Sequence, residues 1–142
     1  MGRIKIDFPE SVLFSTDIAV RITDINYGRH VGNDAYLSII HEARMRFLQS
    51  YNLGELDFVG TALIMSDSAV VYKSEAYYGM TLQVEITPAD FTKYGFDLYY
   101  RIVDKATGQE ILLAKTGMVC FDYNTRKVTA LPANIPEMWN LS

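Results

Sequence analysis

The sequence predicts an α+β fold in which one long central helix is wrapped by a five- or six-stranded, mainly antiparallel sheet. Two observations carry this. Only one stretch has a sustained helical pattern, with Tyr36, Ile39, Ile40, Ala43 and Phe47 on one face and Leu37 and Leu48 widening it. From Ala62 to Phe121 strand patterns follow one another with turns between them, so neighbouring strands should pair antiparallel.

Taken in order, the first eleven residues lead in and end near Pro9. Ile18, Val20 and Ile22 alternate with Ala19, Arg21 and Thr23, which predicts a half-buried strand. A polar segment turns through Tyr27-Gly28, and Asn33 or Asp34 can cap the helix that follows. Gly54 ends this unit and residues 55–61 read as a loop. Ala62–Lys73 is rich in strand formers, and Tyr77-Tyr78-Gly79 makes a turn. Leu82, Val84 and Ile86 then alternate with polar residues, until Pro88–Lys93 breaks the pattern. Phe96, Leu98, Tyr100 and Ile102 resume it. Residues 104–109 read as a hairpin loop in which Gly108 supplies a positive φ. Ile111–Phe121 is a long strand and Arg126–Leu131 a short one. Pro132 and Pro136 mark a loose tail ending near Trp139. With no internal repeat or linker, a single domain over residues 1–142 is expected.

Composition narrows the function classes. Apolar residues make up 49% of the chain and charged residues 21%, so it can bury a core rather than remain disordered. A net charge of −4, with no stripe of Lys or Arg, argues against nucleic acid as partner. Cys120 is the only cysteine, which excludes an intrachain disulfide and a thiolate cluster. His30 and His41 are the only histidines and no H-E-x-x-H spacing exists, so no metal is expected. The first ten residues lack the apolar core of a signal peptide, and no run approaches the ~20 apolar residues of a membrane span. A cytoplasmic protein without a membrane span is the expectation.

Residues 21–47, RITDINYGRHVGNDAYLSIIHEARMRF, are the candidate site. A polar, turn-rich segment here runs straight into the apolar helix. The start of a helix offers free N–H groups and the positive end of the helix dipole, which suit an oxygen carrying negative charge.

This stretch resembles the hotdog fold, and within it the acyl-CoA thioesterase group that includes 4-hydroxybenzoyl-CoA thioesterase. That group carries a motif of the form D-x-D-x-x-x-H-V-N-N-x-x-Y, followed on the helix by E-A-R. Here the chain reads Asp24, Asn26, His30-Val31-Gly32-Asn33, Tyr36 and then Glu42-Ala43-Arg44, with the motif spacing unbroken. The resemblance covers roughly residues 12–125. It implies hydrolysis of an acyl-CoA or related acyl thioester by a homodimer or homotetramer, with sites at the subunit interface. Coenzyme A or an acyl carrier protein would belong to the substrate, and no separate cofactor is implied. Two positions depart from the motif. The second aspartate, which in many members is the nucleophile or general base, is Asn26, and the first asparagine after His-Val is Gly32. An amide can neither take a proton from water at neutral pH nor attack a thioester.

Other residues must then supply the chemistry. Backbone N–H groups near Gly32 and Asn33 can serve a developing oxyanion, and Gly32 would let a carbonyl approach closely, or the pair simply caps the helix. His30 can orient a water or the thioester carbonyl, or is an ordinary turn residue. Another branch of the fold family uses a glutamate on this helix, which makes Glu42 a candidate base if it is half-buried. The plainer alternative is an ion pair of Glu42 with Arg44 or Arg46. Asp24 is the other available carboxylate, with Asn26 orienting water or substrate. His41 reads as surface helix. Tyr36, Ile40, Met65 and Tyr72 are candidate acyl-chain contacts, or plain core. Lys73, Lys93, Arg101 and Lys127 are candidate phosphate contacts indistinguishable from surface cations. Two rivals stand beside hydrolysis: an acyl-thioester dehydratase of the same fold, and an acyl-thioester-binding protein without catalysis, for which Asn26 is the best argument.

Overall fold

Alternation of buried and half-buried residues builds the sheet. The computed structural model describes residues 2–139. Residues 1 and 140–142 of the expected single domain lie outside the described residues. The strands are β1 (Phe14–Ala19), β2 (Ala62–Tyr72), β3 (Thr81–Ala89), β4 (Gly95–Asp104), β5 (Glu110–Asp122) and β6 (Lys127–Val128). The helices are α1 (Ala35–Gln49) and α2 (Asn134–Met138), and a 3-10 turn spans Ile22–Asp24. In β4, Phe96, Leu98, Tyr100 and Ile102 are buried while Asp97, Tyr99, Arg101 and Val103 lie half-buried on the outer face. Leu82, Val84 and Ile86 of β3 continue the same inner face.

The strand order is β1-β3-β4-β5-β2, with β6 beside β5, and every pairing is antiparallel. Ile39, Ile40, Ala43, Phe47 and Leu48 of α1 join this inner face in one core. Each of the larger side chains, Ile39, Ile40, Phe47 and Leu48, contributes about 1.5–3 kcal/mol by leaving water. The expected hotdog arrangement, a five- or six-stranded, mainly antiparallel sheet around one long helix, is thus observed, with six strands and every pairing antiparallel.

Four expectations need correction. The first strand starts at Phe14 and ends at Ala19, so Ile22 points into solvent from the 3-10 turn rather than continuing the buried row. The buried face of α1 is narrower than expected: Leu48 widens it, but Leu37 is exposed. Pro88 does not break β3. It pairs with Leu98 on one side, beyond the last β1 partner Ile86 on the other, so the missing N–H falls where the strand edge is open.

Nor is the tail loose. α2 buries Ile135, and Trp139 packs its ring against Phe47 at 5.0 Å and Phe96 at 5.2 Å. Pro136 is tolerated because it lies in the first turn of α2, where N–H groups have no helical partner anyway.

Candidate active site

The loop joining β1 to α1 is folded by its own short-range hydrogen bonds. The carboxylate of Asp24 is buried and accepts the backbone N–H of Arg21 at 2.8 Å and its guanidinium at 3.2 Å. Ile25 and Val31 form an antiparallel bridge around a tight turn. Within it Asn26 N–H donates to His30 O (2.9 Å) and Arg29 N–H to Asn26 O (3.0 Å). The Asn26 Oδ1 accepts the N–H of Gly28 at 2.9 Å, a side-chain turn of the kind Asn favours. The left-handed position of this turn is Arg29 (φ 67°).

One long-range bond fixes what the loop faces. Val31 N–H donates to Ala76 O at 2.8 Å, which ties the loop to the segment leaving β2. That segment carries Glu75, a residue the sequence pattern did not single out. His30 Nδ1–H donates to Val31 O (3.1 Å), so in the neutral ring Nε2 holds the free lone pair. It lies 3.7 Å from Glu75 Oε1. The other oxygen of Glu75 accepts the hydroxyl of Tyr77 at 2.6 Å, a bond that raises the pKa of that phenol.

His30, Asn33, Tyr36, Tyr72, Lys73 and Glu75 line an open pocket of about 270 Å³ at the start of α1. The Tyr36 and Tyr72 rings pack at 5.9 Å, and Tyr72 OH donates to Asn33 O at 3.3 Å. Burial pushes the Tyr36 phenol up to about 12, so it stays protonated at neutral pH. Of the other candidate acyl contacts, Ile40 is in the core and Met65 is exposed on β2.

At the helix start the expected pair of donors is reduced. Gly32 N–H already donates to Asp24 O at 3.0 Å, so it is not free for an oxyanion. The space over its Cα is filled too: a Cβ there would meet Asp34 Oδ1 at 2.6 Å. The close approach that Gly32 permits is therefore one by Asp34. Among the described residues Asn33 N–H has no such partner.

Glu42 lies elsewhere. It is exposed rather than half-buried and accepts Arg46 Nε at 2.8 Å, while Arg46 also reaches Thr16 and the Asp17 carbonyl. This pair belongs to a groove of about 540 Å³ along α1, lined also by Ala19, Arg21, Ser38, His41 and Met45. The groove shares no lining residue with the His30 pocket, so the fold of one chain does not bring Glu42 and His30 together. Arg44 pairs not with Glu42 but with Glu55, at 3.1 Å, and with the Tyr100 hydroxyl at 3.2 Å. His41 also holds Glu55, at 2.7 Å. No group of three or more His, Cys, Asp or Glu able to hold a metal occurs among the described residues.

Comparison with known proteins bears on what such a site does. A comparison with curated protein sequences found no match. A solved 1,4-dihydroxy-2-naphthoyl-CoA thioesterase from Synechocystis is similar at 26% identity and a TM-score of 0.77, covering 84% of this chain and 89% of that one. A DHNA-CoA thioesterase from Staphylococcus aureus shares the fold at 18% identity and a TM-score of 0.76, covering 87% of this chain and 84% of its own. The family model of the thioesterase-like superfamily matches residues 20–138, which include the whole 24–44 motif and Glu75. On that match, the chain belongs to the thioesterase-like superfamily.

Proposed function

We propose that this chain hydrolyses an acyl-CoA thioester to free acid and thiol, in the pocket where His30 meets the start of α1. The observation that carries the reading is this convergence: an imidazole with a free Nε2, an unpartnered Asn33 N–H and a carboxylate on one cavity, in a chain of thioesterase family. Thioester hydrolysis needs those parts, a group to direct water and a donor for the oxyanion. Asn26 keeps its NH2 group for substrate once Oδ1 has taken Gly28 N–H. Coenzyme A enters as part of the substrate, no further cofactor is required, and Lys73 on the pocket rim suits its phosphates. An acyl carrier protein could present the same thioester.

The reading includes a homodimer or a homotetramer. β2 is an eleven-residue edge strand, and a second copy could pair with its open ladder. Exposed Ile22 and Tyr27 beside the site give such a copy apolar surface to cover.

The test is thiol release from a panel of short, long and aromatic acyl-CoAs, including 1,4-dihydroxy-2-naphthoyl-CoA, the substrate named for the Synechocystis protein. Wild type is run beside His30→Ala, Glu42→Gln and Asp24→Asn. Loss in His30→Ala with turnover kept in Glu42→Gln supports the His30 pocket. Collapse in Glu42→Gln moves the chemistry to the α1 groove. Binding of acyl-CoA by calorimetry with no release from any substrate would favour the acyl-thioester-binding reading, for which the amide at position 26 is the argument.

A further inference from the structure

Resting on the hydrolase reading, we infer that Glu75 is the carboxylate that takes the proton from the attacking water, and that His30 holds the same water. The position where a base is expected from the motif is an amide, Asn26, and its oxygen is engaged by Gly28. Asp24 is turned into Arg21 and Glu42 into Arg46. Glu75 is the carboxylate that lines the same cavity as His30.

Its geometry suits the task. Tyr77 holds Oε2 at 2.6 Å, which leaves Oε1 directed at His30 Nε2. The separation of 3.7 Å is too long for a direct hydrogen bond. With Nδ1–H committed to Val31 O, Nε2 of the neutral ring and Oε1 are both acceptors. A water about 2.8 Å from each would satisfy both by donating one O–H to the imidazole and one to the carboxylate. Its lone pairs then remain free for a carbonyl carbon in the pocket. Stability gives the arrangement little reason to exist, since the two side chains are 29% and 58% exposed and such pairs contribute little.

In the reaction, the water oxygen bonds to the thioester carbon as its proton passes to Glu75 Oε1. The carbonyl oxygen becomes an oxyanion that Asn33 N–H can meet. Collapse breaks the C–S bond, and the departing thiolate takes the proton from Glu75. That transfer leaves Glu75 a carboxylate as it began, and the acid product gives up its own proton to solvent.

The experiment compares wild type with Glu75→Gln, Glu75→Asp and Glu75→Ala on the best substrate of the panel, with circular dichroism as the fold check. Glu75→Gln should lower kcat about 100-fold or more with KM little changed, as for removal of a general base. Glu75→Asp should retain more activity, and formate should restore part of the rate to Glu75→Ala. A Glu75→Gln variant that is folded and turns over near the wild-type kcat overturns the inference while leaving the hydrolase reading intact. So does a variant changed in KM alone. No thiol release by wild type on any substrate overturns the hydrolase reading, and this inference falls with it.

Discussion

Asp24 and Arg21 close a ring: the aspartate carboxylate accepts both the backbone N–H (2.8 Å) and the guanidinium (3.2 Å) of the arginine three residues before it. The aspartate is buried and its carbonyl also holds Gly32 N–H, so it ties both ends of the site loop together. Asp24→Ala should destabilise the protein by about 1.5–3 kcal/mol, the range for a lost hydrogen bond to a charged group. Asp24→Asn keeps an acceptor oxygen and should cost about 1 kcal/mol. Urea midpoints of the two variants check this. A general base would instead lose turnover in Asp24→Asn at unchanged stability.

Gly28 makes room for the two polar side chains of the turn. A Cβ at position 28 would stand 3.2 Å from both Asn26 Oδ1 and His30 Nε2. Gly28 is not among the residues with positive φ, so the backbone accepts alanine and the effect should fall on the side chains. Gly28→Ala should lower kcat about tenfold, as a misplaced catalytic group does, with stability within about 0.5 kcal/mol of wild type. Steady-state kinetics beside thermal melts separate the two.

The two arginines of the E-A-R-M-R run should behave differently. Arg44 is buried between Glu55 and Tyr100, whereas Arg46 meets Glu42 in solvent. Glu55→Ala leaves the Arg44 charge buried without its carboxylate and should cost about 1.5–3 kcal/mol. Glu42→Ala removes an exposed i,i+4 pair worth about 0.3–0.5 kcal/mol. Equal losses in denaturant titrations would contradict this ordering.

Alkaline pH should unfold the protein through its tyrosines. Burial pushes Tyr36 up to about 12, and the hydrogen bond to Asp90 does the same for Tyr99. In the unfolded chain both ionise near 10. The folded state therefore holds protons that the unfolded state releases, and stability falls as pH rises. The contribution is fully present below pH 10 and is lost as pH climbs through about 12. Urea midpoints across that window should drop less steeply in Tyr36→Phe and Tyr99→Phe.

Period-two alternation is a local signal, and it made β3 and β4 readable because each turns one face to the core that α1 shares, whereas β5 reads as a long apolar run because it is buried on both faces. The ends of β1 and β3 depend on where the neighbouring strand stops, which no local pattern records. Ile22 fits the alternation yet leaves the sheet, and Pro88 breaks it yet stays. The candidate site was half legible in the same sense. His30, Asn33 and Tyr36 lie within one short stretch that the family resemblance singled out, and they line one pocket, with Asn26 in the turn before them. Glu75 reaches His30 only because Val31 N–H bonds Ala76 O across more than forty residues of chain. Trp139 is a similar case: its prolines signal a loop, and only the aromatic cluster at Phe47 and Phe96 explains its burial.

Cys120 bears on how the hydrolysis assay can be run. The thiol is fully buried on β5, and burial raises its pKa, against the lowering effect of a hydrogen bond to Thr61. Reaction with a disulfide reagent needs an accessible thiolate, and this site offers neither access nor charge. The native protein should therefore leave such a reagent unreacted on the timescale of turnover, and one thiol per chain should react once urea unfolds it. Colour released by native protein without substrate would show that the strand opens locally around Cys120. The core around Leu63, which faces Cys120 from β2, would then be less stable than the packing implies, and thiol release would have to be followed in a Cys120→Ala variant.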